Sequence, residues 1–140
     1  MTTRTIATVP GRIDGLSRPF LFQAVFCALA GIDCLLFADR AAGLLVPALA
    51  GDPAVALGFR VLGGVLLLDA VLLLLLSCPG GRRTALRPLF VWLNGAWAVG
   101  SVALAIVAGP VLSAAGVGLV LAQAGAVAGF ALAQRRAIRR

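Results

Sequence analysis

Apolar residues in this chain fall into four long runs, at positions 20–38, 54–76, 89–108 and 112–133. Each holds about 19–23 residues, which as α-helix reaches across a hydrocarbon layer of roughly 30 Å. The pattern predicts an all-α polytopic membrane protein, a bundle of four transmembrane helices. Pro19 and Pro88 sit at the starts of the first and third runs, where a missing N–H costs a helix little. Cys78-Pro79-Gly80-Gly81 closes the second run, and Gly109-Pro110 makes a tight turn between the third and fourth. The organisation expected is an N-terminal tail over 1–19, a four-helix domain over 20–133 and a short basic tail over 134–140. Leu44-Leu45-Val46-Pro47 predicts a short interfacial helix in the first loop. Ala28-Leu29-Ala30 resembles a signal-cleavage site, but only about eight apolar residues precede it and the run continues to Ala38, so a retained helix is expected.

Composition strengthens this reading. The chain is 61% hydrophobic and 12% charged, with a mean hydropathy of +1.07; soluble domains are roughly half apolar and a quarter charged. A water-soluble fold of 140 residues has too little interior to hide that much apolar surface. The net charge of +7 comes entirely from arginine, with neither Lys nor Glu present. Such a charge suggests nucleic acid in a soluble protein, but here the arginines lie between apolar runs, so no nucleic-acid partner is expected. They read as topology signals instead. Arg4, Arg12, Arg18, Arg82, Arg83, Arg87, Arg135, Arg136, Arg139 and Arg140 fall on one side. Arg40, offset by Asp39 and Asp52, falls on the other. The positive-inside bias predicts both termini in the cytoplasm and argues against an antiparallel, dual-topology dimer. Arg, Ala, Gly, Leu and Val dominate, all with GC-rich codons, which points to a GC-rich bacterium and its inner membrane. Arg82, Arg83, Arg87, Arg135, Arg136, Arg139 and Arg140 are the expected contacts to anionic lipid headgroups. Phe20, Phe22, Phe90, Trp92 and Phe130 at one interface, with Phe37 and Phe59 at the other, suggest aromatic belts.

The chemistry on offer is sparse. There is no histidine, which removes His-ligated haem, His-based zinc sites and His-dependent triads. Cys27 and Cys34 lie two helical turns apart, roughly 10 Å along the axis, too far for a disulfide. With Cys78 they read as small core residues. No cofactor, metal site or catalytic residue is expected, and the chain does not read as an enzyme.

The polar residues inside the runs are therefore the candidates. The second run carries roughly fifteen Leu, Val and Phe, worth about −4 to −9 kcal/mol for insertion. Arg60 and Asp69, unpaired at mid-membrane, would cost about 5 to 7 kcal/mol, so this helix needs partners for its charges. Asp33 and Arg60 fall at equal depth on adjacent spans, which suggests an ion pair; snorkelling of Arg60 to the headgroups is the other solution. Asp69 is 2.5 turns from Arg60 and faces the opposite side. Asp69, Asn94, Ser101 and Gln123 form a candidate buried polar cluster, with Gln23 somewhat shallower. A carboxyl group there is cheapest neutral and hydrogen-bonded to Asn94 or Gln123. Intramembrane ionisable groups are functional candidates, although interhelical hydrogen bonds often serve only as glue. In the fourth run, Ala114, Gly118, Ala122 and Ala126, with Gly125, Gly129 and Ala133, give small residues at four-residue spacing, a close-packing signal toward another span or a second protomer. Arg18-Pro19-Phe20-Leu21-Phe22 and Arg87-Pro88-Leu89-Phe90-Val91 form a faint internal echo.

Asn94-Gly95-Ala96-Trp97, Ser101, Gly109-Pro110 and Ala122-Gln123-Ala124, together with Leu57-Gly58-Phe59-Arg60-Val61-Leu62-Gly63, resemble a group of small, uncharacterised four-span bacterial integral membrane proteins. More remotely the layout is similar to DoxX-like membrane proteins. The resemblance implies a fold and a location, and it carries no role for Asp33 or Asp69. The expected function is a structural or interaction role in the inner membrane, with the lipid bilayer, a second copy or another membrane protein as partner. The alternative is a small proton-coupled transporter or channel that uses Asp69.

Overall fold

The computed structural model describes residues 18–78 and 85–139. These residues form helix α1 (Arg18–Leu36), a short α2 (Ala38–Leu45), a 3-10 turn (Pro47–Leu49), α3 (Pro53–Ser77), α4 (Arg87–Val107) and α5 (Ala114–Ile138). The four longer helices are each long and apolar enough to cross a membrane, the arrangement of a multi-pass membrane protein. Residues 1–17 of the expected 1–19 tail, Pro79-Gly80-Gly81, Arg82, Arg83 and Arg140 lie outside the described residues, and residues 18 and 19 already belong to α1.

Helix boundaries follow local chemistry. Asp52 caps α3 by accepting the Ala54 amide at 2.8 Å, with Pro53 in the first turn. Ser113 caps α5 by accepting the Gly116 amide at 2.9 Å. Helix α5 continues past Ala133 to Ile138, because no Gly or Pro interrupts Ala, Gln and Arg there and its last turn gains Arg135 and Arg136 against the helix dipole. At Phe37 the chain bends into α2 and keeps its hydrogen bonds: Phe37 N–H donates to Asp33 O at 2.9 Å and Ala41 N–H to Phe37 O at 2.8 Å.

The helices pack as two hairpins, α1 with α3 and α4 with α5. In the first, Gly31 and Gly63 bring the backbones together; a Cβ on Gly63 would stand 2.7 Å from the Gly31 carbonyl oxygen. Helix α1 also touches α5, and α2 lies across α3 and α5 at one end. That end is laced by Ser113, whose hydroxyl donates to Leu44 O at 2.7 Å and whose amide donates to Leu45 O at 2.9 Å. Gly116 fits beneath Leu45, where a Cβ would meet the Leu45 carbonyl oxygen at 2.6 Å. The other end of the bundle carries Arg18, Arg87, Arg135, Arg136 and Arg139 and is called the arginine end below.

Burial is inverted relative to a soluble bundle. Leu29, Leu36, Leu57, Leu68, Val99 and Ile106 point outward, whereas Gln23, Arg87, Asn94, Ser101 and Gln134 are buried. The apolar core is small: Phe20, Ala24, Cys27, Ala70, Leu73 and Leu76, near the arginine end of the first hairpin. An apolar outside over a partly polar inside is what a hydrocarbon solvent selects.

Candidate functional site

Three side-chain amides from three helices meet near the arginine end. Gln23 Nε2 donates to Asn94 Oδ1 at 2.7 Å, and Asn94 Nδ2 donates back to Gln23 Oε1 at 2.9 Å. Asn94 Nδ2 also donates to Gln134 Oε1 at 3.0 Å, and Gln134 Nε2 to Gln23 Oε1 at 2.6 Å. All three residues are buried, and the ring ties α1, α4 and α5 together. An amide carries donors and acceptors in one group, so three of them can satisfy one another where water is absent.

Arg87 seals the same end. Its guanidinium donates twice to Leu76 O, from Nε at 3.1 Å and from Nη2 at 2.8 Å, and lies over the Phe20 ring at 5.5 Å. The Leu76 carbonyl belongs to the last turn of α3, where it has no partner within its own helix. A buried cation beside it also complements the negative end of the helix. Arg87 is only 4% exposed, so it is not the headgroup contact expected from its place in the sequence. Phe20, expected in an aromatic belt, is wholly buried under it. Arg18 is exposed, so the two Arg-Pro starts of the faint echo play different parts. Arg135, Arg136 and Arg139 are exposed.

The expected Asp33–Arg60 pair is replaced. Arg60 Nη2 meets Asp39 Oδ2 at 2.9 Å in an exposed ion pair. Gly31, Cys34 and Leu35 face α3, so Asp33 falls on another side of α1 and is turned outward. The bend at Phe37 brings Asp39, in the first turn of α2, to Arg60 instead. Equal depth suggests Asp33, but direction around the helix decides the partner.

The expected polar cluster is only partly assembled. Asp69 bonds to neither Asn94 nor Gln123; its Oδ2 accepts from the Cys27 thiol at 3.4 Å. The amide of Asn94 is already used by Gln23 and Gln134. Among the described residues, Ser101 and Gln123 make no side-chain hydrogen bond. What Asp69, Asn94, Ser101 and Gln123 share is a cavity of about 600 Å³ that all four line. Gln134 lies one residue past the end of the fourth apolar run at Ala133, so the run itself does not point to it. Its spacing from Gln123, eleven residues or about three turns, was the available signal. Of the small residues spaced along α5, Gly118, Gly125 and Gly129 make no close approach within the chain: a Cβ on any of them would meet nothing within 4 Å.

The cavity lies between the two hairpins. Helices α1 and α5, joined by the Phe26–Phe130 ring contact at 5.8 Å, form its back. Helices α3 and α4 form its sides and do not pack against each other along their length, so the cavity opens between them. Gln23 and Asn94 of the amide ring close its floor. Its walls are mostly apolar, from Val65, Leu66, Leu93, Trp97, Leu104 and Val127. Apart from the Cys27 thiol, Asp69 is the one ionisable side chain among the lining residues. The described residues hold no group of three or more metal-ligating side chains, and Cys27, Cys34 and Cys78 are free thiols.

Comparison of the chain with protein families, with curated proteins and with solved structures gives no match. The geometry alone therefore carries the functional argument.

Proposed function

We propose that this protein is a membrane-embedded binding protein whose ligand is a small, largely apolar molecule held between its two hairpins. The observation that carries this reading is the cavity beside Asp69. Its volume, apolar walls and few convergent polar groups are those of small-molecule sites. A small-molecule binding role differs from the structural or interaction role expected from the sequence, and it needs no nucleophile or base. The arginine distribution supports placing both termini in the cytoplasm and the protein in a bacterial inner membrane, with Arg135, Arg136 and Arg139 against anionic headgroups. The opening between α3 and α4 then faces the hydrocarbon layer, and a lipid-soluble molecule reaches the site from the bilayer.

A second reading is proton-coupled transport through Asp69, favoured by a carboxyl group at the cavity wall. Passage would require the floor to open, and the closed amide ring speaks for binding without passage.

Trp97 lines the cavity and is partly exposed at its mouth, whereas Trp92 points outward, so in a Trp92→Phe protein the emission comes from Trp97 alone. A small aromatic quencher such as nitrobenzene is expected to quench Trp97 saturably in detergent. Gly100 also lines the cavity, and a Cβ there meets nothing within 4 Å. Gly100→Phe should thus fill the space without disturbing the fold and abolish saturation. Linear quenching, the same with and without Gly100→Phe, contradicts the proposal.

A further inference from the structure

We infer that the cavity between the hairpins selects hydrophobic cations, with the Asp69 carboxylate as counter-ion and the Trp97 and Phe26 rings as the surfaces that face the charge. The inference rests on the binding reading above and names its ligand class.

Asp69 projects into a mostly apolar space with a single hydrogen-bond partner, the weakly donating Cys27 thiol at 3.4 Å. No arginine lines that space. Arg60 is held by Asp39 at the opposite end of α3, and Arg87 is committed to the Leu76 carbonyl. Among the described residues, therefore, a carboxyl group stands in a low-dielectric cavity with no cation beside it. A carboxylate so placed is stabilised by a ligand that brings its own positive charge, because Coulomb attraction strengthens as water is excluded. Trp97 and Phe26 line the same cavity, and aromatic faces attract cations through their quadrupole, Trp most strongly. The amides of Gln23 and Asn94 in the floor are spent on each other and on Gln134, so the polar side chains left for a ligand are few, Ser101 and Gln123 on the walls. The class that fits is a compact apolar body with a delocalised or substituted cationic centre, such as a quaternary ammonium or phosphonium.

The test uses two ions of like size and opposite charge, tetraphenylphosphonium and tetraphenylborate, on the full chain in detergent, with Trp97 emission in the Trp92→Phe background as readout and empty micelles as the blank. Tetraphenylphosphonium is expected to act saturably and at least ten times more tightly than tetraphenylborate. Asp69→Asn should remove that preference, and Asp69→Glu should keep most of it. Equal, saturable binding of both ions, or preference for the borate, overturns the cation inference and leaves the binding site standing. Saturable binding of neither overturns both. The comparison on the Asp69-containing chain needs no folded Asp69 variant; if Asp69→Asn folds and still prefers the cation by the same factor, Asp69 is not the counter-ion and the inference fails.

Discussion

Replacing Asn94 by Leu breaks the amide ring at its centre. Asn94 makes three of the four bonds in the ring: one accepted from Gln23 Nε2 and two donated, to Gln23 Oε1 and Gln134 Oε1. Interhelical hydrogen bonds in membrane proteins average about 0.6 kcal/mol each, so the three account for about 2 kcal/mol. The change also strands Gln23 Nε2 and Gln134 Oε1 in an apolar setting, and a buried polar group left without a partner costs about 1–3 kcal/mol. Taken over the two stranded groups, a cost that already contains the lost bonds, the expected destabilisation of Asn94→Leu is about 2–6 kcal/mol. The distinguishing feature is its non-additivity. Replacing Gln23, Asn94 and Gln134 together by Leu leaves no orphaned group, so the triple variant should be less destabilised than the sum of its singles, and no worse than Asn94→Leu alone. Unfolding in mixed micelles, followed by far-UV circular dichroism as SDS is raised, measures each variant. A triple variant destabilised by the sum of its singles, or an Asn94→Leu change within about 0.5 kcal/mol of the unaltered protein, the range of an ordinary surface substitution, would refute the ring as a cooperative unit.

Three further outcomes are expected. Gly63→Ala should cost about 1–3 kcal/mol in the same assay, because its Cβ would press on the Gly31 carbonyl oxygen at 2.7 Å and on Leu35; an unchanged midpoint would mean that α1 and α3 do not meet there. Asp33→Asn should leave stability unchanged, and Asp39→Asn should lower it by less than about 1 kcal/mol, as for other exposed ion pairs; a large loss for Asp33→Asn would restore the pairing suggested by depth alone. Cys78, exposed at the arginine end, should escape an impermeant thiol reagent in intact cells and react in inverted vesicles; labelling in intact cells would reverse the proposed orientation.

The four long helices were legible in the sequence because a hydrocarbon solvent imposes a length and a composition, and both show in the run of apolar residues without knowledge of any contact. The breaks were legible for a similar reason, since Pro19, Pro88 and the Gly109-Pro110 turn act locally. Partners were harder. Depth along a helix follows from counting residues, and it placed Asp69, Asn94, Ser101 and Gln123 around a common interior. Direction around the helix depends on which faces pack, and that was set by Gly31 against Gly63, two small residues that do not stand out against so much Ala and Gly. Hence Arg60 was matched to Asp33 instead of Asp39. The end of an apolar run also misled: Gln134 lies just past it, yet the helix carries on and turns the amide inward. Arg87 looked like an anchor because it sits in an arginine-rich loop. Nothing in the sequence signals that the last carbonyl turn of α3 lies beside it, and it is that carbonyl which draws the guanidinium in.

The account stands on a cavity between the hairpins that opens toward the bilayer, and a spin label on α4 tests it most directly. In a protein with Cys27, Cys34 and Cys78 replaced by serine, labels would be placed by Ser101→Cys on the cavity wall, Ala105→Cys in a buried contact away from it, and Val99→Cys on the outward face. Collision with dissolved oxygen, which concentrates in hydrocarbon, is then measured in reconstituted bilayers. The expected result is a rate for the Ser101 label well above that of the Ala105 label and below that of the outward Val99 label. A Ser101 label as shielded as the Ala105 label would show that the hairpins close on each other, and the site beside Asp69 would not exist.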